Sequence, residues 1–451
     1  MQMDMTRGPI LPRMIRFMIP ILIGNIFQQL YNMVDTMIVG KFLGAGSLAA
    51  VGSTGNLMFM VTGFAMGAAI GFSVRTSQTF GAGRMDELKN SVACSIVLAL
   101  VLSAALTVFS LAAAGGILHL MRTPADIYPE AKAYITIIFG GITATFFYNL
   151  FSSHLRAVGN STAPLFFLIL SAVLNVGLDL LFIAGLGMGV RGAAFATILS
   201  QAVSALLCLV YILRRMPVLV PGRGHWRIRR EVAAYHLKMG VPIGLQHTIT
   251  ASGMVVMQAA INSFGSVAVA SITAAMKLQY LLMQGCIAIG HTMTPFCGQN
   301  MGKGDYRRLR EGFRTAVLLE VAFSIFAALV LIFILPRFLF LFFRTGTDMT
   351  EIIRLAKPYF YITSAFYFPL SLIFIFRNGL QGCGYAMVPM FSGVVELAAR
   401  CMMAFLSIHF GSYLMAISCD PSAWLCAGLY GAGAYLLIRR KWPAERAELD
   451  P

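Results

Sequence analysis

The stretch PILIGNIFQQLYNMVDTMIVGKF, Pro20–Phe42, decides how the chain is read. It is apolar enough to cross a bilayer, yet it carries a carboxylate, Asp35, and the polar residues Asn25, Gln28, Gln29, Tyr31 and Asn32. An ionisable side chain at bilayer depth costs roughly 2.5–3.5 kcal/mol on insertion scales, so it normally faces a protein interior or a water cavity and works there. The plainer alternative is an Asp hydrogen-bonded to a neighbouring helix. The rest of the chain decides between them.

Of the 451 residues, 58% are apolar and only 12% charged, and the mean hydropathy is +0.78. Long apolar runs recur from end to end, which is the composition of an all-α polytopic membrane protein and not of a soluble enzyme. At about 20 residues per spanning helix, roughly a dozen spans fit. The short basic head (Arg7, Arg13, Arg16) leads straight into a full-length span, which predicts no cleaved leader. A formal charge of +16 does not call for a nucleic acid partner, because the basic residues cluster in alternate loops. The 8 cysteines are scattered, mostly inside spans, without CxxC or Cys/His ligand spacing, so neither a disulfide framework nor a zinc site is expected.

Hydropathy and punctuation predict helices over 16–39, 50–78, 92–118, 133–156, 164–185, 191–213, 235–262, 268–297, 313–343, 356–379, 387–408 and 421–438. Pro164, Pro389 and Pro421 stand where helices should start. Gly-rich turns lie at Gly81–Gly83, Gly185–Gly189 and Gly302–Gly304. Basic residues follow the even-numbered spans: Arg84 and Lys89 after the second, Arg214 to Arg230 after the sixth, Lys303 to Arg310 after the eighth, and Arg439, Arg440 and Lys441 after the twelfth. The positive-inside rule makes that side, and both termini, cytoplasmic, as in a multi-pass protein of the plasma membrane. The loops after spans three and nine are mixed, pairing Arg122 and Lys132 with Asp126 and Glu130, and Arg344, Arg354 and Lys357 with Asp348 and Glu351.

The chain also repeats itself. QTFGAGRMDEL (Gln78–Leu88) returns as QNMGKGDYRRL (Gln299–Leu309), and FLGAGSLAAV (Phe42–Val51) as SFGSVAVASI (Ser263–Ile272), both displaced by 221 residues. LRAVGNSTAP (Leu155–Pro164) returns as LQGCGYAMVP (Leu380–Pro389), displaced by 225. The expected organisation is an N-terminal lobe of six helices (1–213), a basic cytoplasmic linker (214–232) and a C-terminal lobe of six helices (233–451). An even number of spans per half sets both halves the same way up, which is a transporter plan.

Four carboxylates fall inside the predicted spans: Asp35, Asp179, Glu320 and Glu396. Asp35 lies 15 residues past Pro20 and Asp179 15 past Pro164. At 1.5 Å per residue each has climbed about 22 Å from the cytoplasmic side, so the two share a depth. Asn175 is on the same helix face as Asp179, four residues earlier. Thr197 enters from outside on span six and reaches a matching level. Carboxylates, an amide oxygen and a hydroxyl at one level are the hard oxygen ligands a small cation prefers. Glu396 and Arg400 form an i, i+4 pair that reads as a structural ion pair. Lys277 either contacts substrate or pairs with Glu396. Arg75 is expected to snorkel at a helix end, Glu320 has no evident partner, and His247 and His291 read as hydrogen-bonded structural residues. The 27 Met and 34 Phe suit a pliable pocket, though lipid-facing and core bulk accounts for them as well.

The paired GAGR and GKGD turns, the paired LRxxGN…P and LQGxG…P stretches, and a polar first span ending in VDTMIVG resemble the multidrug and toxic compound extrusion (MATE) transporters. The resemblance runs over essentially the whole chain. It implies a secondary antiporter with a cleft between two lobes, exchanging inward-moving Na⁺ or H⁺ for outward-moving amphipathic, mostly cationic compounds. It implies a monomer with no cofactor and no enzymatic activity. The family's N-lobe cation site places an Asp in span one, Asn-x-x-x-Asp in span five and a Thr in span six, and Asp35, Asn175, Asp179 and Thr197 fall on those positions. They would be the Na⁺ ligands if sodium is the coupling ion. One branch of the family carries coupling acids in spans seven and ten; Thr250 and Leu370 stand there, and the repeat partners Val256 or Met257 and Ala404 are apolar too, so coupling should reside in the N-lobe alone. Gln28, Tyr31, Asn32, Lys277 and Glu396 are candidates for lining the substrate cleft. A flippase for lipid-linked precursors and, more remotely, a membrane-embedded lipid-modifying enzyme are the alternatives.

Overall fold

The computed structural model describes residues 3–121, 123–343 and 349–443, so Arg122, Arg344 and Asp348 lie outside the described residues. Those residues are helical throughout, with no strand among them. In chain order the long helices are α1 (Ile10–Gly44), α2 (Gly46–Gly81), α3 (Met85–His119), α4 (Tyr128–Gly140 and Ile142–Ala157), α5 (Thr162–Gly185), α6 (Val190–Arg215), α7 (Arg230–Asn262), α8 (Ser266–Lys303), α9 (Tyr306–Phe342), α10 (Met349–Ala365 and Tyr367–Gly382), α11 (Met387–Phe410) and α12 (Cys419–Arg439). Nine of these are long and apolar enough to span a bilayer alone; α4 and α10 qualify when each bent pair is taken as one span. The 33-residue α7 has the length to complete a set of twelve. Large apolar side chains such as Val108, Phe109, Met37 and Phe405 lie exposed on the helix surfaces, as lipid contact requires.

The helices overrun their predicted ends. Residues 40–49, expected as a loop, stay helical, and the chain turns on one residue, Gly44, at φ 87° and ψ −177°. Only glycine adopts that conformation without strain. The same device recurs with the period of the repeat. Positive-φ glycines pair as Gly44 with Gly265, Gly83 with Gly304, Gly159 with Gly384 and Gly189 with Gly411. The fourth helix of each half breaks as well, α4 at Gly141 by 47° and α10 at Phe366 by 50°. Two halves that turn and bend at matched positions are copies of one six-helix plan.

The described chain forms two compact units. The first comprises Met1–Asp4 and Ile19–Thr248, the second Met5–Met18 and Ile249–Pro451. These limits differ from lobe bounds at 213 and 233, because α7 is divided within its length and the head of α1 groups with the second unit. The α7 division has a physical cause. Gly63, Gly67 and Gly71 recur every fourth residue on α2; Gly67 and Gly71 meet Gly244 and Gly240 of α7, and Gly63 faces His247. A Cβ on Gly71 would sit 2.6 Å from Gly240 Cα, and one on Gly67 2.6 Å from Ile243 O. Small residues at four-residue spacing let two helix backbones approach closely where lipid gives no hydrophobic drive. Phe64 and Phe72 flank the contact over Gly244 and Gly240. The linker is fixed on the same unit: the Asn90 amide donates to His225 O at 2.8 Å and to Arg227 O at 3.0 Å.

The second unit packs differently. Its glycines receive aromatic rings: Phe296 lies on Gly312, Phe313 on Gly379, Phe323 on Gly285 and Phe374 on Gly290, keying α8, α9 and α10 together. The segment that leads into α1, from Met5 on, is tied to this unit by polar bonds. Met5 N donates to Gln299 Oε1 at 2.8 Å, Arg308 Nε to Met5 O at 2.9 Å, and Lys303 Nζ to Thr6 O at 3.2 Å.

Gly71→Leu should lower the unfolding free energy of the detergent-solubilised protein by about 3 kcal/mol, the cost of overpacking. Gly52, helical and with open space around its Cβ position, provides the contrast: Gly52→Ala should be neutral or stabilising by up to about 1 kcal/mol. Denaturant midpoints of the two variants measure both.

Candidate cation site

The predicted site residues of the first unit come together on α1, α5 and α6. Asp179 is fully buried and Asn175 is 1% exposed, while Asp35 is half-buried with its Oδ1 enclosed. The carboxyls of Asp35 and Asp179 lie close enough for each to feel the other. Two carboxylates offer only acceptors, so this contact becomes a bond only when a proton lies between them, or a cation does. Among the described residues no protein donor satisfies either oxygen of Asp179, Oδ1 of Asp35 or Oδ1 of Asn175, and the Asn175 Nδ2 finds no acceptor. Buried polar groups are nearly always paired in native proteins. Several unpaired buried oxygens on neighbouring helices leave this arrangement incomplete with protein groups alone.

The backbone helps to place them. Asp179 ends the regular part of α5, and the next six residues, Leu180–Gly185, wind as a π-helix. Such segments often occur at functional sites, because an extra residue per turn re-aims side chains. On α6 the Thr197 hydroxyl donates to Ala193 O at 3.0 Å, which leaves its lone pairs free to accept. Tyr31 of α1 lies near Thr197. Tyr134 of α4, 4% exposed, stands close enough to feel the charges of Asp35, Tyr31 and Asp179. It is a site neighbour that pattern reading passes over, since one Tyr in the apolar run AYITIIFG (Ala133–Gly140) has no distinguishing spacing. No group of three or more His, Cys, Asp or Glu side chains suited to a metal ion occurs among the described residues. Two carboxyls with neutral oxygens suit a proton or a monovalent hard cation better than a zinc-like ion.

The cleft candidates fare variously. Gln28 donates to Asn32 Oδ1 at 3.3 Å, and Asn32 O accepts from the Thr36 hydroxyl at 2.7 Å, so these residues form a polar strip one turn from Asp35. In the second unit Glu396 is 3% exposed and bound twice, by Arg377 at 3.3 Å and by Arg400 at 3.4 Å. Arg400 also binds Asp420 at 2.7 Å. Arg377 and Asp420 thus extend the predicted i, i+4 pair into a four-member network across α10, α11 and α12. Asp420 falls one residue outside the predicted last span but inside the first turn of α12. Lys277 is exposed, 6.0 Å from the Phe342 ring, while Glu396 is held by the two arginines. Arg75 pairs with Glu87 at 3.8 Å and lies over the Tyr235 ring. Leu370, Met257 and Ala404 are buried apolar residues, and the Thr250 hydroxyl is buried without a partner.

Known proteins fit this picture. The Bacillus subtilis protein named as the probable multidrug resistance protein YpnP is 32% identical over 308 residues, 68% of each chain. The corresponding Thermotoga maritima protein, NorM, is 25% identical over 407 residues, 88% of this chain and 85% of that one. A crystal structure of MATE in complex with MaL6 superposes with a TM-score of 0.89 over 97% of this chain and 99% of its own, at 22% identity, which is a likeness of fold. The MatE family model matches residues 20–181 and 242–406, both halves of the repeat. A duplicated twelve-helix scaffold, matched along both copies, establishes that this chain belongs to the MATE (multidrug and toxic compound extrusion) family of transporters.

Proposed function

We propose that the protein is a multi-pass plasma-membrane antiporter that exports amphipathic, mostly cationic compounds, driven by Na⁺ or H⁺ bound at Asp35 and Asp179. The observation that carries this reading is the neighbouring carboxyl pair with no protein donor among the described residues. Two such groups cannot both stay charged cheaply at close range in a dry interior. A bound proton or Na⁺ relieves that repulsion and changes the local charge by one unit. Asn175 and Thr197 supply neutral oxygens around it. Coupling then follows from differential affinity: the ion must favour one access state over the other, since equal affinity shifts nothing. The ion works by alternating access in a monomer with both termini cytoplasmic, and no cofactor takes part.

The similar proteins are named as probable multidrug resistance proteins, which supports drug-like cargo. Amphipathic cations suit a half-buried Asp35 beside Gln28, Tyr31, Asn32 and the exposed Met33 and Met37 of α1, which offer a π face and soft contacts.

Three outcomes test this. Asp35→Asn and Asp179→Asn keep the shape of the site but remove its charge, so gradient-driven efflux from proteoliposomes should fall to the leak rate. Normal coupled efflux by both variants would remove this site from the mechanism. Glu396→Gln should leave coupling in place but cost about 3 kcal/mol of stability, because it strips a buried pair of one partner; a denaturant titration reads this directly. Finally, expression in an exporter-deficient host should raise resistance to dye-like cations, and protection confined to anionic drugs would count against cationic cargo.

A further inference from the structure

Glu320, in the middle of α9, has no part in the site described above. It is fully buried, and neither carboxyl oxygen has a well-formed hydrogen bond. No Arg, Lys or His forms an ion pair with it among the described residues. It lies against the Ser371 hydroxyl of α10 and the Cys286 thiol of α8. Ser324, one turn along α9, stands 2.9 Å from Ser371.

The bonding around Ser371 decides the chemistry. Its own hydroxyl proton goes to Tyr367 O at 3.0 Å, the i−4 carbonyl. Ser371 therefore has only lone pairs left, and these can accept from Ser324 and from one more donor. A carboxylate at Glu320 would offer an acceptor to an acceptor. A carboxylic acid offers the missing O–H. With the Ser371 proton kept on Tyr367 O, the cluster closes when Glu320 carries a proton: Glu320 donates to Ser371, Ser371 donates to Tyr367 O, and Cys286 S–H is left to donate to the carboxyl C=O. The thiol, 3.7 Å from Ser371, is a poor ligand for a hard cation, so sodium is the worse occupant. The titratable groups facing this spot are Cys286 from α8, Tyr367 from the second piece of α10 and, beyond it, Tyr359 from the first piece. None supplies positive charge.

We propose that Glu320, Ser371, Ser324 and Cys286 form a proton-binding site in the second unit, separate from Asp35 and Asp179, whose proton holds α8, α9 and α10 together. Releasing that proton leaves an unpaired charge in a dry core, so the second unit loosens as pH rises.

Infrared spectroscopy of the purified full-length protein tests it. With ¹³C-labelled glutamate, a protonated-carboxyl C=O band should shift, which separates it from any aspartic acid band. The band should be present at neutral pH, unaffected by Na⁺, absent in Glu320→Gln and displaced in Ser371→Ala. Glu320→Gln should fold, because its amide donates to Ser371 where the acid did, and it should lose less thermal stability than the wild type on alkalinisation. Absence of a glutamate-shifted band in the wild type, or its disappearance on adding Na⁺ at fixed pH, overturns the proposal whether or not the variants fold.

Discussion

Helices in a bilayer gain little by hiding apolar surface from each other, because the lipid is as apolar as they are. What holds them is close contact, and in this protein glycine provides it. The first unit uses backbone against backbone, Gly67 and Gly71 of α2 on the Gly240 to Gly244 stretch of α7. The second uses rings seated on glycines, with Phe296, Phe313, Phe323 and Phe374 as the inserts. The two solutions serve one six-helix plan. They depend on positions where no side chain larger than hydrogen fits, so the packing is fixed residue by residue.

Such packing sets the terms on which charge can be buried. In the second unit Glu396 and Asp420 are answered by Arg377 and Arg400, and the network is closed with protein groups alone. In the first, Asp35 and Asp179 confront one another and Asn175 has no partner. One arrangement is complete without a ligand and the other is not. An ion can exert leverage only where the protein has left something unfinished, and this difference separates a closed brace from the proposed coupling site on a shared scaffold.

Much of this was legible beforehand. The repeat, the helix count and the depth of Asp35, Asn175, Asp179 and Thr197 follow from hydropathy and from the fixed rise of a helix, both local properties. Four features were not. The helical continuation through residues 40–49 depends on Gly44 turning the chain alone, and a glycine's dihedral angle leaves no mark on hydropathy. Tyr134 joins the site through the bend of α4, whose packing against Ile198 of α6 is a tertiary matter. The π segment after Asp179 is spelled LLFIAG, which a regular helix would accept equally well. The Arg377 contact to Glu396 was hidden by a separation of 19 residues and an intervening loop.

The attachment of the segment from Met5 onward to the second unit has a consequence for biogenesis. Met5 bonds to Gln299, 294 positions later, and its carbonyl accepts from Arg308. At a synthesis rate of roughly 5–20 residues per second, those partners leave the ribosome some 15 to 60 seconds after the first helix. Until then the opening residues of α1 have no native berth, although the remainder of that helix can already pack with its own half. The segment that begins at Met5 is therefore among the last to be secured, although Met3, just before it, already bonds to Gly159 of the first unit. Assembly of the halves is ordered in time, and the first helix is finished only when the ninth has arrived.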